Sequence, residues 1–289
     1  MDHRVKFDFE LDFSNGGGMQ GQEFRLDIPG ESISDQELAQ AIVRDMRLLM
    51  VGDVRILKKE IVSEPHKRRA AARSIDLSHT VYDGLITYKG LPAPVICDYL
   101  SREASREHYA PGTEFQIGRI EMIANTGTYV DCPFHRYADG KDLSEVGLEA
   151  FADLEGVLIR LDYHRQLAVT AGAFKGRDVT DKAVLVHTGW AEHWDTEAYF
   201  DNHPFLTEDA AVYLRDHGAK LVGIDALNID DTRGKSRPVH STLLRAEILV
   251  VEHLCNLESL PEDAFCFSAI PPKFKGVGTF PVRAFARLL

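Results

Sequence analysis

Basic residues are scarce in this sequence relative to acidic ones. Lys and Arg number 33 against 45 Asp and Glu, a formal net charge of −12. A nucleic-acid partner calls for a basic face against its phosphates, so none is expected. Long apolar runs are also missing. No stretch reaches the roughly 18 apolar residues of a membrane span, so no membrane partner is expected. The opening segment MDHRVKFDFE alternates charge with apolarity and does not resemble a signal peptide, so a cytoplasmic location is expected. Cysteine is sparse. Cys97, Cys132, Cys255 and Cys266 form no CxxC pair, and a 289-residue chain does not need disulfide staples. They are read as reduced thiols. Internal repeats and low-complexity tracts are lacking too.

What is present is ordinary globular material, 44% hydrophobic and 27% charged. That much apolar surface excludes a disordered chain. The length predicts one large domain with an appendage, or two domains. Histidine is abundant, at 12 residues.

Residues 1–65 read as a small ββαβ module. Val5, Phe7, Phe9, Leu11 and Phe13 alternate with Lys6, Asp8, Glu10 and Asp12, the period of a half-buried strand. Ser14 to Gly18 is a turn, and Phe24, Leu26 and Ile28 return as a second strand, ended by Pro29-Gly30. Ser34 and Glu37 have capping-box spacing before a helical face of Leu38, Ala41, Ile42, Met46 and Leu49. Val54 to Val62 reads as the third strand. A module of this size is marginal alone, and its phenylalanine face needs something to pack on. The run from Glu64 to Arg69 reads as a linker.

From Ser74 onward the pattern is mixed α/β. The apolar runs Val157 to Leu161, Ala183 to Val186, Leu221 to Ile224 and Ile248 to Val251 suit strands buried on both faces. Thr207 is a helix N-cap candidate and Gly218 a C′ candidate.

The densest polar constellation is Asn125-Thr126-Gly127-Thr128-Tyr129-Val130-Asp131-Cys132-Pro133-Phe134-His135. On an extended segment Tyr129 and Asp131 share one face. A second constellation follows: His240 near a helix start after Pro238, and Glu252 closing an apolar strand. A carboxylate at the end of a buried strand is costly unless paired. Strand ends and helix starts are also where α/β folds form ligand crevices.

These residues carry a resemblance to the cyclase / kynurenine formamidase family of metal-dependent hydrolases, which includes isatin hydrolases. Asp76-Leu77-Ser78-His79 resembles the family's DLSH. Asn125 to His135 aligns with HxGTHxDxPxH, Thr188-Gly189-Trp190 with TGW, and Gly223-Ile224-Asp225 with a G-x-D strand. His240, Glu252, Asn256-Leu257 and the closing Pro271 to Arg283 segment also fit. The matches run in order over about residues 74–289 and leave the N-terminal module outside. The resemblance implies a swivelling β/β/α barrel-like fold and hydrolysis of small cyclic or formylated amides. It implies Zn²⁺ or Mn²⁺ held by the two signature histidines and the Asp, with the later His and Glu nearby, and His135 as proton carrier. It also implies a small-molecule substrate and a homo-oligomer, dimer or tetramer.

The sequence departs from the signature at its centre. Asn125 and Tyr129 stand where the pattern has histidines. An amide oxygen and a phenol are poor ligands for these metals, so a weak or absent metal is expected. Asp131, His240 and Glu252 are the remaining candidate ligands. Both replacements can donate hydrogen bonds to an oxyanion. Three readings follow. The first is a hydrolase using His135, His240 and Glu252 for acid–base work. The second is a metal-free cyclase, lyase or isomerase using Tyr129 and Asn125 as oxyanion donors. The third is a non-catalytic small-ligand binding protein. Tyr82, Tyr88 and Trp190 are candidate substrate contacts; Cys132 reads as a buried filler.

Overall fold

The computed structural model describes residues 2–28, 30–64 and 73–289. The chain forms two compact units, Met1–Ala71 and Ala72–Leu289. The expected linker after Glu64 lies outside the described residues, as does Pro29.

In the first unit, strands β1 (Asp2–Phe13), β2 (Gly18–Asp27) and β3 (Val51–Glu64) form an antiparallel sheet in the order β2-β1-β3. Helix α1 spans Asp35–Asp45, and the Ser34/Glu37 capping box is formed. The alternation of β1 buries Val5, Phe7, Phe9 and Leu11 in one cluster with Leu38 and Ile42 of α1. The phenylalanine face is therefore covered by the module's own helix. The helix ends one turn earlier than the apolar spacing predicts. Arg47 adopts φ 51°, a left-handed conformation that stops the helix and leaves Leu49 exposed.

The second unit is mixed α/β. Its strands are β4 (Ser74–Asp76), β5 (Val95–Leu100), β6 (Ile117–Glu121), β7 (Tyr129–Asp131), β8 (Leu154–Arg160), β9 (Ala168–Val169) and β10 (Ala183–His187). They are followed by β11 (Phe205–Leu206), β12 (Leu221–Ile224), β13 (Leu249–Glu252), β14 (Phe265–Ser268), β15 (Thr279–Pro281) and β16 (Phe285–Leu288). The helices are a short α2 (Arg102–Ser105), α3 (Glu208–Asp216) and α4 (Pro238–Arg245). Nine strands make one curled sheet in the order β15-β7-β13-β12-β10-β8-β14-β16-β4. Its centre, β8-β10-β12-β13, is parallel.

Successive residues of these central strands point to opposite faces. Val184, Val222 and Val250 join one apolar cluster with Leu214 of α3 and Leu243 of α4. Leu185, Leu221 and Val251 join a second with Val130, Phe265 and Phe267. Burial on both faces is the arrangement the short apolar runs predict. Thr207 sits at the N-cap position of α3, but its hydroxyl bonds the Val169 carbonyl and the Asp209 carboxylate rather than a backbone amide of the helix. Gly218 follows α3 with φ 75°, the left-handed C′ conformation that glycine tolerates.

Two features of this sheet position the site. Val130 belongs to the second cluster, so its neighbours Tyr129 and Asp131 face the side that carries α4. Glu252 has the parity of Val250 and faces the same side. Three polar side chains thus converge on the N-terminal end of α4.

Candidate active site

Strand register brings the site residues together. In the antiparallel β7–β13 pair, Tyr129 lies opposite Glu252. Directly opposed side chains touch, and the Tyr129 hydroxyl donates to Glu252 Oε2 at 2.6 Å. In the β7–β15 pair, Thr279 lies opposite Asp131. The Thr279 hydroxyl bonds both Asp131 Oδ1 and His135 Nδ1, the latter at 2.7 Å. Gly278 permits this close approach: a Cβ there would lie 2.3 Å from the His135 backbone nitrogen.

His240 enters from α4. Asp230 holds the start of that helix by accepting from the Val239 and His240 amides at 2.8 and 3.0 Å. Its Oδ2 also meets His240 Nδ1 at 2.6 Å, which fixes the ring and turns Nε2 toward the other carboxylates. Nε2 lies 3.5 Å from both Asp131 Oδ2 and Glu252 Oε1. Glu252 Oε1 also accepts from the Ile229 amide at 2.7 Å. Tyr129, Asp131, His240 and Glu252 are all buried, whereas the His135 side chain is 35% exposed.

The electrostatics follow from this crowding. Burial pushes the Glu252 carboxyl up to about 7, against the opposing pull of His240 and the Tyr129 hydroxyl. Burial would depress the His240 imidazole, but the carboxylates around it, Glu252 foremost, outweigh that effect and hold it up at about 10. Burial drives the Tyr129 phenol well above its ordinary value, and Glu252 and Asp131 push the same way. Tyr129 is a neutral hydrogen-bond donor.

Tyr129, His240 and Glu252 form the floor of a cavity of about 390 Å³. Asn125, His135 and Tyr88 line it as well. Tyr82 and Trp190 are not among its lining residues. Tyr82 is exposed and donates to Asp195, while Trp190 is buried, with its indole N–H bonded to the Tyr199 carbonyl. Cys132 is buried beside the Val277 carbonyl. His253 alternates away from Glu252 and bonds the Tyr199 hydroxyl.

Asp131, His135 and His240 can each present one ligand atom, all within 4.8 Å of one another. Asp131 Oδ2 is buried with no hydrogen-bond partner among the described residues. One carboxylate oxygen and two imidazoles are a donor set that divalent catalytic metals accept. The residues therefore fit a metal ion. The grouping has His135 where the sequence reading placed Glu252, whose two oxygens accept from the Ile229 amide and the Tyr129 hydroxyl.

Sequence reasoning passed over Thr279, Asn228 and the cavity's basic residues Arg136 and Arg237. Thr279 and Asn228 carried no motif signal. Asp230 stands ten residues ahead of His240 in the sequence, with no pattern that pairs the two.

A curled mixed sheet with few helices is the architecture that solved structures of the cyclase fold share. The Cyclase family model, described as "Putative cyclase", matches residues 75–231, and the chain belongs to that family. It is 28% identical over 185 residues to a kynurenine formamidase of Geobacillus thermodenitrificans, covering 63% of this chain and 85% of that protein. A Bacillus cytotoxicus kynurenine formamidase is 24% identical over 220 residues, 76% of this chain and 99% of that one. Among solved structures, a potential metal-dependent hydrolase with cyclase activity superposes with TM-score 0.63 at 26% identity, covering 76% and 99% of the two chains. Isatin hydrolase A from Labrenzia aggregata shares the fold, with TM-score 0.65 at 22% identity over 75% and 94%.

Proposed function

We propose that this protein hydrolyses the C–N bond of a small cyclic or formylated amide. The observation that carries the reading is the buried Tyr129, Glu252 and His240, which line a ligand-sized cavity, with Asp131 buried 3.5 Å from the His240 imidazole. The similarity to kynurenine formamidases supports the bond type. Glu252, poised near neutrality, takes the proton of the attacking water and later supplies one to the leaving nitrogen. Tyr129 positions Glu252. His240 and the Asn125 amide face the oxyanion that develops on the carbonyl. His135, partly exposed at the cavity wall, exchanges the proton with solvent. A divalent metal held by Asp131, His135 and His240 would polarise the carbonyl and acidify water.

One observation favours a second, metal-free reading of the same site. Three carboxylates surround His240 and hold it protonated, and an imidazolium can stabilise an oxyanion without a metal. The test is turnover of N-formylkynurenine, isatin and simple formanilides, with and without Mn²⁺ or Zn²⁺. Failure to hydrolyse any of them under both conditions refutes the hydrolase reading. Undiminished turnover in chelator selects the metal-free form.

A further inference from the structure

The chain carries a net charge of −12, yet three basic residues, Lys89, Arg136 and Arg237, line this one cavity. They are not equivalent. Lys89 is matched by Glu197 at 2.8 Å. Among the described residues no carboxylate lies within 4.0 Å of the guanidinium of Arg136 or Arg237. The nearby Arg233 shows the contrast, because Asp231 grips it at 2.8 Å.

Arg237 is also held in place. Its Nη1 donates to the carbonyls of Asp231, Gly234 and Ser236 at 3.4, 2.9 and 2.7 Å. Those carbonyls fix the side chain without neutralising it. Nε and Nη2 are left without a partner among the described residues. Arg136 is anchored through Nε to the Ser241 hydroxyl at 3.2 Å, and its guanidinium lies 5.3 Å from the centre of the Tyr137 ring. Its two terminal nitrogens are likewise unspent. A fixed guanidinium loses little entropy on binding and matches the geometry of an oxyanion.

We infer that the cavity selects a substrate bearing an oxyanion, a carboxylate or phosphate on a flat apolar body, bound through Arg136 and Arg237. Around the floor the three carboxyl groups of Asp131, Asp230 and Glu252 outnumber the one cation, His240, which disfavours a second, permanent anion there. Lys89 and Arg136 are exposed and Arg237 is half-buried, in contrast to the buried floor. The charge gradient therefore points the oxyanion outward and the amide carbonyl inward, with Tyr88 and Leu91 supplying apolar wall. This deepens the hydrolase reading and rests on it for the chemistry, though not for the binding.

Calorimetry on the intact protein with benzoate, phenyl phosphate and neutral benzamide tests the binding without any turnover. At least one anion should bind about 10–100-fold more tightly than benzamide, the range of a charged hydrogen-bonded contact. Which anion binds more tightly identifies the oxyanion. Arg237→Met and Arg136→Met should each erase most of that preference, and Arg237→Lys should restore part of it. A folding failure of Arg237→Met leaves the solvent-exposed Arg136→Met as the deciding variant. In turnover, the preference for N-formylanthranilate over formanilide should collapse in the same variants, through KM. Anion binding that depends on these arginines in a protein that hydrolyses nothing sinks the hydrolase reading alone. Equal binding of benzoate, phenyl phosphate and benzamide, or a preference unmoved by both Met variants, overturns the inference.

Discussion

Tyr129→Phe separates two roles for the tyrosine. Tyr129 is 1% exposed, and phenylalanine fills the same space without its hydroxyl. What disappears is the 2.6 Å donation to Glu252 Oε2. A hydrogen bond to a charged group contributes roughly 1.5–3 kcal/mol. At about 1.36 kcal/mol per pH unit, its loss should raise the Glu252 pKa by about 1–2 units. The sign is upward because the hydroxyl stabilises the ionised form. With Glu252 as base, the acid limb of the kcat/KM profile should move up from about 7. Stability changes in the same sense. A carboxyl raised above its ordinary value of 4.5 costs folding free energy as pH climbs through the interval up to its folded pKa. The variant should therefore lose more stability at pH 8 than at pH 5. A pH–rate profile and thermal unfolding across that range read both effects. A uniform fall in activity with an unmoved acid limb refutes the positioning role and makes Tyr129 a direct donor to the substrate.

His79 stacks on Trp194 with ring centres 3.9 Å apart, and burial lowers its pKa from 6.5 to about 4. Its stabilising contribution is present above pH 6.5 and lost as pH falls through 4, at most about 3 kcal/mol. His79→Phe should flatten that acid limb of thermal stability, and parallel curves for both proteins would contradict this. Asp230→Asn removes the carboxylate that orients His240 and should weaken Mn²⁺ or Zn²⁺ binding about 10–100-fold in equilibrium titration; unchanged affinity means His240 is not a ligand. The β5–β6 ribbon exposes Val95 at 52%, Tyr99 at 77% and Ile120 at 62%. A two-stranded ribbon is marginal alone, which argues for a second copy against it. Light scattering should give a dimer or larger, with Ile120→Asp shifting it toward monomer; a monomeric wild type would exclude this.

Local chemistry explains which parts of the protein were legible in its sequence. The capping box at Ser34 and Glu37 and the alternation of β1 are short-range patterns with one physical cause each. Tyr129 and Asp131 share a face because a strand has period two. The helix end at Asp45 was hidden because apolar spacing continues to Leu49, while the left-handed Arg47 breaks the backbone. The partners of the site residues were hidden for a different reason. Thr279 meets Asp131 across a register between segments 148 residues apart. Asp230 serves His240 from the loop before α4. Trp190 lies within a matching TGW motif, yet packing directs it into the core.

Replacing two signature histidines changes the electrostatic balance of the site. Asp131, Asp230 and Glu252 all crowd His240, and something positive must offset them. In this chain the proton on His240 does so, which is why its pKa stands near 10. A metal ligated by the same imidazole must displace that proton, because only neutral histidine coordinates. Ion and proton thus compete for one nitrogen. Binding of Mn²⁺ or Zn²⁺ near pH 7.5 should release about one proton per ion and strengthen as pH rises. Calorimetry in buffers of different ionisation enthalpy counts those protons directly. Tight binding with no proton release would place the ion away from His240. It would then leave the imidazolium free to serve as the oxyanion's counter-charge.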